Sequence, residues 1–364
     1  MNEKSCWLGF SQVQGIGPFK FAKLIASFGT AEKAWKASEK ELTEILKPAL
    51  TKVFLDFKKT FSIEEYLEKM EKTKVGFLTL EDRNYPKLLK QIKNPPFVLF
   101  YKGKLDFINS EASIGIVGTR KITNYGRQIT EMITQELVQT DCVIVSGLAM
   151  GVDAVAHKTT IDNSGKTIAV LGCGVDCCYP RENQKLYEEI LDSGGLIVSE
   201  YGIGQQPTVG SFPSRNRIIA GLSMGVVVTE GAADSGALIT AKDALSADRK
   251  VFAVPGPVTS SLSKGPYDLI KKGAVVVSSG REILAELRIE NGELRNSSSP
   301  RLQKIKGDTK EEQKILDLLA KEGLHFDELV RITKIDSSSL GTILSMMEMK
   351  GMIKSLNAGF FGLA

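Results

Sequence analysis

The chain has 364 residues, which is long for one domain and fits two or three. Its composition, with 42% hydrophobic and 25% charged residues, is that of an ordinary globular protein. The formal net charge of +4 excludes a histone-like polycation, although it is compatible with cations concentrated in one groove. We find no run of about 18 uncharged apolar residues, so we predict neither a signal peptide nor a transmembrane helix.

Five cysteines in so long a chain do not make a disulfide framework, and we therefore expect a reducing, cytoplasmic location. Cys173, Cys177 and Cys178 cluster, but they lack the paired C-x-x-C and histidine spacings of a zinc site. We interpret them as buried small side chains. The sequence predicts no metal site and no cofactor.

Residues 1–72 are predicted to form a small domain of short helices. Within it, Gly15-Ile16-Gly17-Pro18 predicts a glycine hairpin that leads into a helix beginning near Phe19. Such a hairpin either directs backbone N–H groups at a nucleic-acid phosphate or is a tight turn between packed helices. The sequence leaves both interpretations open.

Residues 73–288 alternate apolar runs with helical patterns. Strands are predicted at residues 75–80, 98–101, 114–117, 143–145, 168–171, 196–198, 226–229, 251–254 and 274–277. Several runs are β-branched and uninterrupted, which is typical of strands buried on both faces. From residue 113 onward they recur every 23–30 residues or so, roughly the length of a βα unit, so we predict a doubly wound parallel sheet.

The C-terminal region is predicted to contain a linker and a small domain. Residues 289–310 include Asn296-Ser297-Ser298-Ser299-Pro300, which is typical of a linker. Residues 311–364 show helical patterns at 311–321, 326–333 and 337–350 and a hairpin pattern at 352–361, a succession that predicts a winged helix-turn-helix. Its reading helix carries only one cation, Lys350, so docking of a partner or of a second copy is as consistent with the pattern as duplex binding.

Glycines, hydroxyls and arginines follow the predicted strands, at the sheet edge where open α/β folds bind ligands. Gly118-Thr119-Arg120 follows the strand at 114–117, Ser146-Gly147 ends the next strand, and Gly172 and Gly174 follow the third. Glycine lets a ligand approach the backbone closely, and a helix beginning near Asn124 would direct its positive end to the same place. A phosphate is the predicted ligand. The Gly-x-Gly-x-x-Gly fingerprint of nicotinamide enzymes is absent from these turns.

The segment from Phe212 to Arg217 carries the strongest signal. We expect Ser214 to be an N-cap, which places Arg215, Asn216 and Arg217 in the first helical turn. Cations there oppose the helix macrodipole by roughly 0.3–1 kcal/mol each, so we predict that a phosphate lies in front of them. The alternative is that the arginines are solvated surface residues. Phe212 either packs in the core or stacks on unpaired bases.

Other candidates are weaker when taken alone. Arg181 and Lys158 would add cations, and Ser235-Gly236 predicts the start of a further helix. His157 is interpreted as a structural residue. With two histidines in the chain, and none beside a candidate serine or cysteine, no machinery for nucleophilic catalysis is visible, so we predict a protein that is not an enzyme.

Taken in order along the chain, these residues resemble the DprA/Smf family of bacterial DNA-processing proteins of natural transformation. The resemblance runs from about Gly76 to Leu287. The motifs that carry it are Tyr85-Pro86, Gly118-Thr119-Arg120, Ser146-Gly147-Leu148-Ala149, Gly151-Val152-Asp153 with His157, Gly172–Gly174 with Tyr179-Pro180, Ser199-Glu200-Tyr201, Phe212–Gly221, Ser235–Thr240 and Val254-Pro255-Gly256. The N-terminal helices resemble the family's helix-hairpin or SAM-like domain, and the C-terminal region resembles its winged helix.

The resemblance implies an extended Rossmann fold that binds single-stranded DNA without sequence preference, loads the RecA recombinase onto it and usually forms a homodimer. It assigns phosphate contacts to Arg120, Arg181, Arg215 and Arg217. The full set of predicted DNA-binding residues is Gly118, Thr119, Arg120, Ser146, Gly147, Lys158, Gly172, Gly174, Arg181, Phe212, Arg215, Asn216, Arg217, Ser235, Gly236 and Tyr267. Two positions depart from the family pattern: Met150 stands where a basic residue is common, and Tyr267 where asparagine is common.

The rival interpretation is a nucleotide-processing enzyme, because related Rossmann-like folds include nucleotide phosphoribohydrolases. Those enzymes carry a Pro-Gly-Gly-x-Gly-Thr-x-x-Glu turn. The nearest segments here, Thr229-Glu230-Gly231 and Ser235-Gly236, lack that pattern. A second rival, a sequence-specific regulator acting through the C-terminal domain, is disfavoured by the scarcity of cations on its reading helix.

Overall fold

The computed structural model describes residues 2–289, 307–319, 323–355 and 359–363. The chain divides between residues 295 and 296 into two compact units. Most of the predicted linker, residues 289–310, lies outside the described residues. The domain boundaries drawn at residues 72, 288 and 310 stay predictions.

The N-terminal region consists of short helices, as predicted. They are α1 (Glu3–Ser11), α2 (Pro18–Phe28), α3 (Ala31–Lys36), α4 (Glu39–Leu46), α5 (Pro48–Thr60) and α6 (Ile63–Lys72). Pro18 occupies the first position of α2, where its missing N–H is not needed. The turn before it contains Gly15 at a φ of 92°, a conformation that favours glycine.

Aromatic side chains join these helices to the sheet. Phe10 stacks on Phe54 with ring centroids 5.1 Å apart, and Phe21 stacks on Phe97 at 4.0 Å. All four side chains are buried. Because Phe97 immediately precedes a strand of the sheet, the N-terminal helices and the sheet share one hydrophobic core.

Within residues 2–289 the strands form one nine-stranded sheet. They are β1 (Gly76–Thr79), β2 (Val98–Gly103), β3 (Ser113–Val117), β4 (Val143–Ser146), β5 (Thr167–Leu171), β6 (Leu196–Ser199), β7 (Gly225–Val228), β8 (Lys250–Ala253) and β9 (Val275–Val276). Their order is β1-β2-β6-β5-β4-β3-β7-β8-β9. Strands β3 to β9 pair in parallel, whereas β1 and β2 add an antiparallel edge next to β6. The predicted doubly wound parallel sheet is confirmed.

Helices flank this sheet. They are α7 (Lys87–Lys90), α8 (Asn124–Val138), α9 (Val152–Asp162), α10 (Gln184–Asp192), α11 (Ser211–Gly221), α12 (Ala237–Ser246), α13 (Lys264–Lys271) and α14 (Gly280–Leu287). Strand β3 lies between β4 and β7, so the chain winds outward from β3 first on one side and then on the other. The loops after β3 and β7 diverge at this switch point and leave a crevice at the carboxyl edge.

The described part of the C-terminal unit has the predicted winged-helix arrangement. It contains α15 (Lys310–Leu319), β10 (Leu324–His325), α16 (Phe326–Thr333), α17 (Ser337–Met349), β11 (Ile353–Ser355) and β12 (Phe360–Leu363). The strands pair in the order β10-β12-β11. Leu316, Leu329, Leu340 and Leu344 are buried in its core. None of the helices described in either unit is both long and apolar enough to cross a membrane.

Candidate nucleic-acid interface

The loops at the carboxyl ends of β3, β4 and β5 surround a cleft, which we call the arginine cleft. Its inner part has a volume of about 400 Å³. Its lining includes Arg120, Gly147, Met150, Tyr179, Arg181, Glu182, Phe212 and Arg215. A wider part of about 910 Å³ shares Arg120, Tyr179 and Phe212 and extends to Gly118, Thr119, Asn216, Ser235 and Gly236. Segments far apart in the sequence therefore converge, as expected for this edge of the sheet.

Two exposed cations and two aromatic rings define the inner part. The guanidinium carbon of Arg120 lies 5.7 Å from the centroid of the Phe212 ring. The Tyr179 and Phe212 rings are 5.2 Å apart and inclined by 39°. Arg120 and Arg181 are both exposed, and neither forms an ion pair within the described residues. This combination of free cations and aromatic faces suits a chain of phosphates and unpaired bases.

The turn after β3 positions Arg120 through close backbone packing. Thr119 donates its N–H to the Glu230 carbonyl at 2.7 Å. A Cβ on Gly118 would lie 2.5 Å from Val152 Cγ2 and 2.8 Å from the Glu230 carbonyl oxygen, so only glycine fits there. The rigid turn directs the side chain of Arg120 into the cleft.

Phe212 is half-buried, and one of its sides packs against the end of β5. A Cβ on Gly172 would lie 3.1 Å from Phe212 Cδ1, so the glycine makes room for the ring. The sequence left two interpretations of Phe212 open, and the structure lies between them. Part of the ring packs on the protein, while the rest faces the cleft beside Tyr179 and Arg120.

Helix α11 begins earlier than expected, which changes the position of its arginines. It begins at Ser211 with Gly210 as N-cap, so the prediction that Ser214 is the N-cap is wrong. Pro213 is compatible with this start because a residue in the first turn needs no hydrogen-bond donor. Arg215 consequently lies in the second turn and points into the protein. Arg215 is only 5% exposed.

Arg215 is a buried brace that also lines both parts of the arginine cleft, and its predicted phosphate contact stays a prediction. Its Nη1 donates to the carbonyls of Gly147 and Val170, and its Nε donates to Asn216 Oδ1 at 3.2 Å. Asp153, also buried, accepts the Gly147 N–H at 3.0 Å. The Gly147 peptide is thus held from both sides. A Cβ on Gly147 would lie 2.3 Å from Arg215 Nη1, so this contact requires glycine.

The electrostatics of this network follow from its burial. Desolvation raises the pKa of Asp153, while the nearby Arg215 charge and the Gly147 N–H act in the opposite direction. Desolvation likewise lowers the pKa of Arg215, opposed by the Asp153 carboxylate. Each charge therefore offsets the burial of the other. Together they hold the loop after β4, in which Leu148 has a φ of 55°.

His157 lies beside this network and makes a structural contact. Its Nδ1 lies 2.7 Å from Thr167 Oγ1, and the Thr167 hydroxyl donates to the Ile144 carbonyl at 2.8 Å. Because the Thr167 hydroxyl proton is directed at the Ile144 carbonyl, the proton between Thr167 and His157 must come from the ring. Nδ1 therefore carries the proton and donates it to Thr167 Oγ1, and Nε2 carries the lone pair. Burial, with a contribution from the Arg215 charge, lowers the pKa of His157 to about 3. The ring is therefore neutral at pH 7.

Arg217 is also less available than the sequence indicated. Its Nη2 forms an ion pair with Glu200 Oε1 at 2.6 Å, and the two side chains are 19% and 17% exposed. The expectation that Arg217 presents a free cation is therefore wrong. The signal that would have revealed this partner was Glu200 itself, which directly follows β6 at the same sheet edge.

Several further predicted residues are buried beneath the cleft and hold its loops together. Ser146 is buried and donates its hydroxyl to the Ile116 carbonyl at 2.6 Å, so it faces away from a ligand. Gly174 is buried too, and a Cβ there would lie 2.4 Å from the Gly202 carbonyl oxygen. Asn216 donates to the Gly236 carbonyl at 3.2 Å and so ties α11 to the start of α12. That start, directly after Ser235-Gly236, is where the sequence predicted it.

Two predicted residues do not join the others. Lys158 forms ion pairs with Asp162 at 2.9 Å and Glu189 at 3.3 Å, which tie it to α9 and α10. Tyr267 uses its hydroxyl to donate to the Gly256 carbonyl and is not among the residues lining the arginine cleft. The prediction that Tyr267 contacts DNA stays a prediction.

Two residues of the cleft were missed as contacts by sequence reasoning. Tyr179, 44% exposed, supplies the second ring, and its signal was the Tyr179-Pro180 motif. Met150, 45% exposed, adds an apolar side chain to the lining. The departure from the family pattern at Met150 thus lies inside the cleft.

Glu230 and the cysteine cluster, the candidates for catalysis or metal binding, are held by contacts that stabilise the fold. Glu230 is 3% exposed and accepts the N–H and hydroxyl of Thr123, the N-cap of α8, at 2.9 and 2.6 Å. Cys173 is buried, whereas Cys177 and Cys178 are half-buried, so only one cysteine of the cluster matches the expected burial. Among the described residues no group of three or more His, Cys, Asp or Glu side chains converges as metal ligands do.

The single cation predicted on the reading helix of the C-terminal unit is neutralised. Lys350 follows α17 and forms ion pairs with Asp308 at 2.7 Å and Glu312 at 2.8 Å. This arrangement ties the end of α17 to the segment around the start of α15. It leaves Lys350 poorly placed to bind a phosphate.

Known proteins resemble this chain over most of its length. Residues 76–288 match the family profile of DNA recombination-mediator protein A, and residues 299–359 match the DprA winged helix domain. Protein Smf of Synechocystis is 43% identical over 79% of this chain and 73% of its own. DNA processing protein DprA of Bacillus subtilis is 38% identical over 71% of this chain and 90% of its own.

Solved structures agree with these sequence relationships. The structure of DNA processing protein A from Streptococcus pneumoniae superposes with a TM-score of 0.69 at 36% identity, covering 79% of this chain and 99% of that one. DNA processing protein A from Helicobacter pylori, described for its single-stranded DNA binding mode, has a TM-score of 0.53 at 31% identity, covering 58% of this chain and 96% of that one. With its fold, its cleft and its sequence in agreement, the chain belongs to the DprA/Smf family of DNA recombination-mediator proteins.

Proposed function

We propose that this protein binds single-stranded DNA without sequence preference in the arginine cleft. The observation that carries the proposal is the set of exposed Arg120 and Arg181 beside the Phe212 and Tyr179 rings, which lie in contact at an inclination of 39°. Cations bind phosphates of any sequence, and every base offers a face to an aromatic ring. The similarity to the DNA processing protein of Helicobacter pylori, described as binding single strands, supports the same ligand.

We assign direct DNA contact to the exposed members of the predicted set and support to the buried members. Arg120 and Arg181 would bind phosphates, with Phe212 and Tyr179 stacking on bases. Gly118, Thr119, Ser235 and Gly236 line the wider part, where their small size lets a strand approach the backbone. Arg215, Asp153 and Asn216 would hold the loops in place.

The cellular role follows from the family. We propose that the protein loads the RecA recombinase onto the bound strand during natural transformation or recombination, acts as a homodimer and functions in the cytoplasm. The proposed test is the rate of RecA filament formation on single strands with and without the protein. A rate that is unchanged by the protein would contradict the loading role.

We further propose that the protein is not an enzyme. Glu230, the carboxylate nearest to the phosphoribohydrolase pattern, is buried and occupied by Thr123. Arginines and aromatic rings dominate the cleft. Its carboxylates are the exposed Glu182 and Asp234 and the buried Asp153, whose carboxyl accepts the Gly147 N–H. Incubation with nucleoside monophosphates should therefore release no base above a heat-treated control. Turnover that disappears in Glu230→Gln would contradict this proposal.

The direct test of DNA binding compares single-stranded with duplex oligonucleotides across a salt series in a gel-shift assay. We expect preference for single strands, because the stacking rings need unpaired bases. We also expect affinity to fall as salt rises, because phosphate contacts release counterions. Equal affinity for duplex and single strands of the same sequence would contradict the proposal that the rings of the cleft stack on unpaired bases.

A further inference from the structure

A second cleft, which we call the hairpin cleft, lies beside the Gly15–Pro18 turn. Its volume is about 950 Å³. One wall consists of residues 11–20, and the other includes Ser214 and Arg217 of α11 together with Glu200. Arg217 and Glu200 neutralise each other, so the charge of this cleft is set by other groups.

The rim of the hairpin cleft has an exposed aromatic ring flanked by lysines. Phe19 is 66% exposed. The ammonium of Lys23 lies 4.6 Å from its ring centroid, and Lys20 is exposed with its ammonium 3.0 Å from the Gly15 carbonyl. At Gly17 no atom lies within 4 Å of the place where a Cβ would be, so the backbone there is open to a ligand.

The helical pattern of α2 shows that Phe19 is not needed for the core. Phe21 and Leu24 face inward and are 2% and 0% exposed. Phe19 and Lys23 are four residues apart and therefore lie on one face, which points outward. The cation beside the exposed Phe19 ring resembles Arg120 beside the half-buried Phe212 ring in the arginine cleft.

The two clefts are adjacent because α11 contributes to both. Phe212 and Pro213 line the arginine cleft, whereas Ser214 and Arg217 line the hairpin cleft. From Phe212 to Ser214 the helix rises by only about 3 Å, but the two residues are about 200° apart around its axis. A strand that leaves the arginine cleft would therefore have to pass around α11 to reach the hairpin cleft.

We propose that Phe19, Lys20 and Lys23 form a second contact site for single-stranded DNA, which binds the part of a strand that extends beyond the arginine cleft. The proposal rests on the proposed function of the arginine cleft. Phe19 supplies a stacking face for a base, and the two lysines bind the flanking phosphates. Short strands would occupy the arginine cleft alone, while longer ones would engage both sites.

The test measures affinity for two oligothymidines, one of about six nucleotides and one of about 20, lengths that bracket typical single-strand site sizes. Phe19→Ala should weaken binding of the long strand about fivefold or more and leave the short strand unchanged. Lys20→Ala/Lys23→Ala should lower the salt slope of log affinity by roughly 1.4 for the long strand only. Val53→Ala and Lys33→Ala/Lys40→Ala alter exposed residues of the same region and should bind both strands like wild type.

Arg120→Ala separates failure of this proposal from failure of the proposed function. It should weaken binding of both strands, because both pass through the arginine cleft. If Arg120→Ala weakens binding while the folded Phe19 and lysine variants bind the long strand like wild type, the second site is overturned and the arginine cleft stands. If wild type binds neither strand, both proposals fail together.

Discussion

Arg120 and Arg215 lie at the same edge of the sheet, in segments that look equally suited to phosphate binding, yet the structure uses them differently. Arg120 is exposed and faces an aromatic ring. Arg215 is buried and donates to the carbonyls of Gly147 and Val170. The comparison shows that a cation in a binding motif either meets the ligand or holds the loops that do. Burial and existing partners decide which.

The largest effect should come from the buried arginine. Arg215→Ala leaves the Asp153 carboxylate buried without its compensating charge and leaves two carbonyls without this donor. Each lost hydrogen bond to a buried group costs about 1–3 kcal/mol of the free energy of unfolding, and the loss of the Arg215 charge near the buried Asp153 adds to this cost. Urea denaturation is the measurement.

Arg120→Ala is the matched control for that experiment. An exposed arginine without a carboxylate partner should change the free energy of unfolding by no more than about 0.5 kcal/mol. If the two variants unfold at the same urea concentration, the assignment of Arg215 to a supporting role is wrong.

The second effect concerns acid stability. His157 has a pKa lowered to about 3 in the folded protein, against an ordinary value of 6.5. Between these values the unfolded chain binds the proton and the folded protein does not, so stability is lost as pH falls below 6.5. The contribution is at most about 1.4 kcal/mol per pH unit.

His157→Asn removes that contribution. Comparing the free energy of unfolding of the variant and wild type from pH 7 to 5 isolates the histidine from other titrating groups. The stability of wild type should fall more steeply with acidification than that of the variant. Parallel curves would mean that the ring is protonated in the folded state.

The third effect separates stacking from charge in the arginine cleft. Phe212→Ala should weaken binding of single strands by about tenfold, since stacking contributes about 1–3 kcal/mol per base. Its salt slope should stay near that of wild type, because no phosphate contact is removed. Val258→Ala, which shortens a side chain that is 85% exposed, is the control for loss of apolar surface. A stable Phe212→Ala protein with wild-type affinity would leave the cleft purely electrostatic.

The smallest effect is a change of slope. Arg120→Ala and Arg181→Ala should each lower the salt slope of log affinity for single strands by roughly 0.7, because each removes one phosphate contact. Lys158→Ala should leave the slope unchanged, since Lys158 is paired with Asp162 and Glu189. If Lys158→Ala lowered the slope of log affinity against log salt concentration and Arg120→Ala did not, the DNA would not be bound in the arginine cleft.

The positions of the strands along the chain and the sheet edge that carries the candidate site could be predicted from the sequence. Uninterrupted β-branched runs such as Val143–Val145 form buried parallel strands because both of their faces must be covered. Parallel strands end at one edge, so the glycine turns after them had to converge there. The pattern of apolar residues along the chain is a local property. The strands that it predicts are found in the folded protein when their packing in the core is consistent with it.

The roles of individual side chains were decided only by the tertiary structure. Arg217 looked like a free cation until the fold brought Glu200 to it across 17 positions of sequence, and Arg215 looked exposed until α11 was found to begin at Ser211. The observed helix begins at Ser211, four residues before the predicted first residue Arg215, so Arg215 lies in the second helical turn rather than at the open N-terminal end. Burial and pairing depend on which distant segments pack together, which is why residue type identified the candidates and three-dimensional packing separated the residues facing the cleft from those that support it.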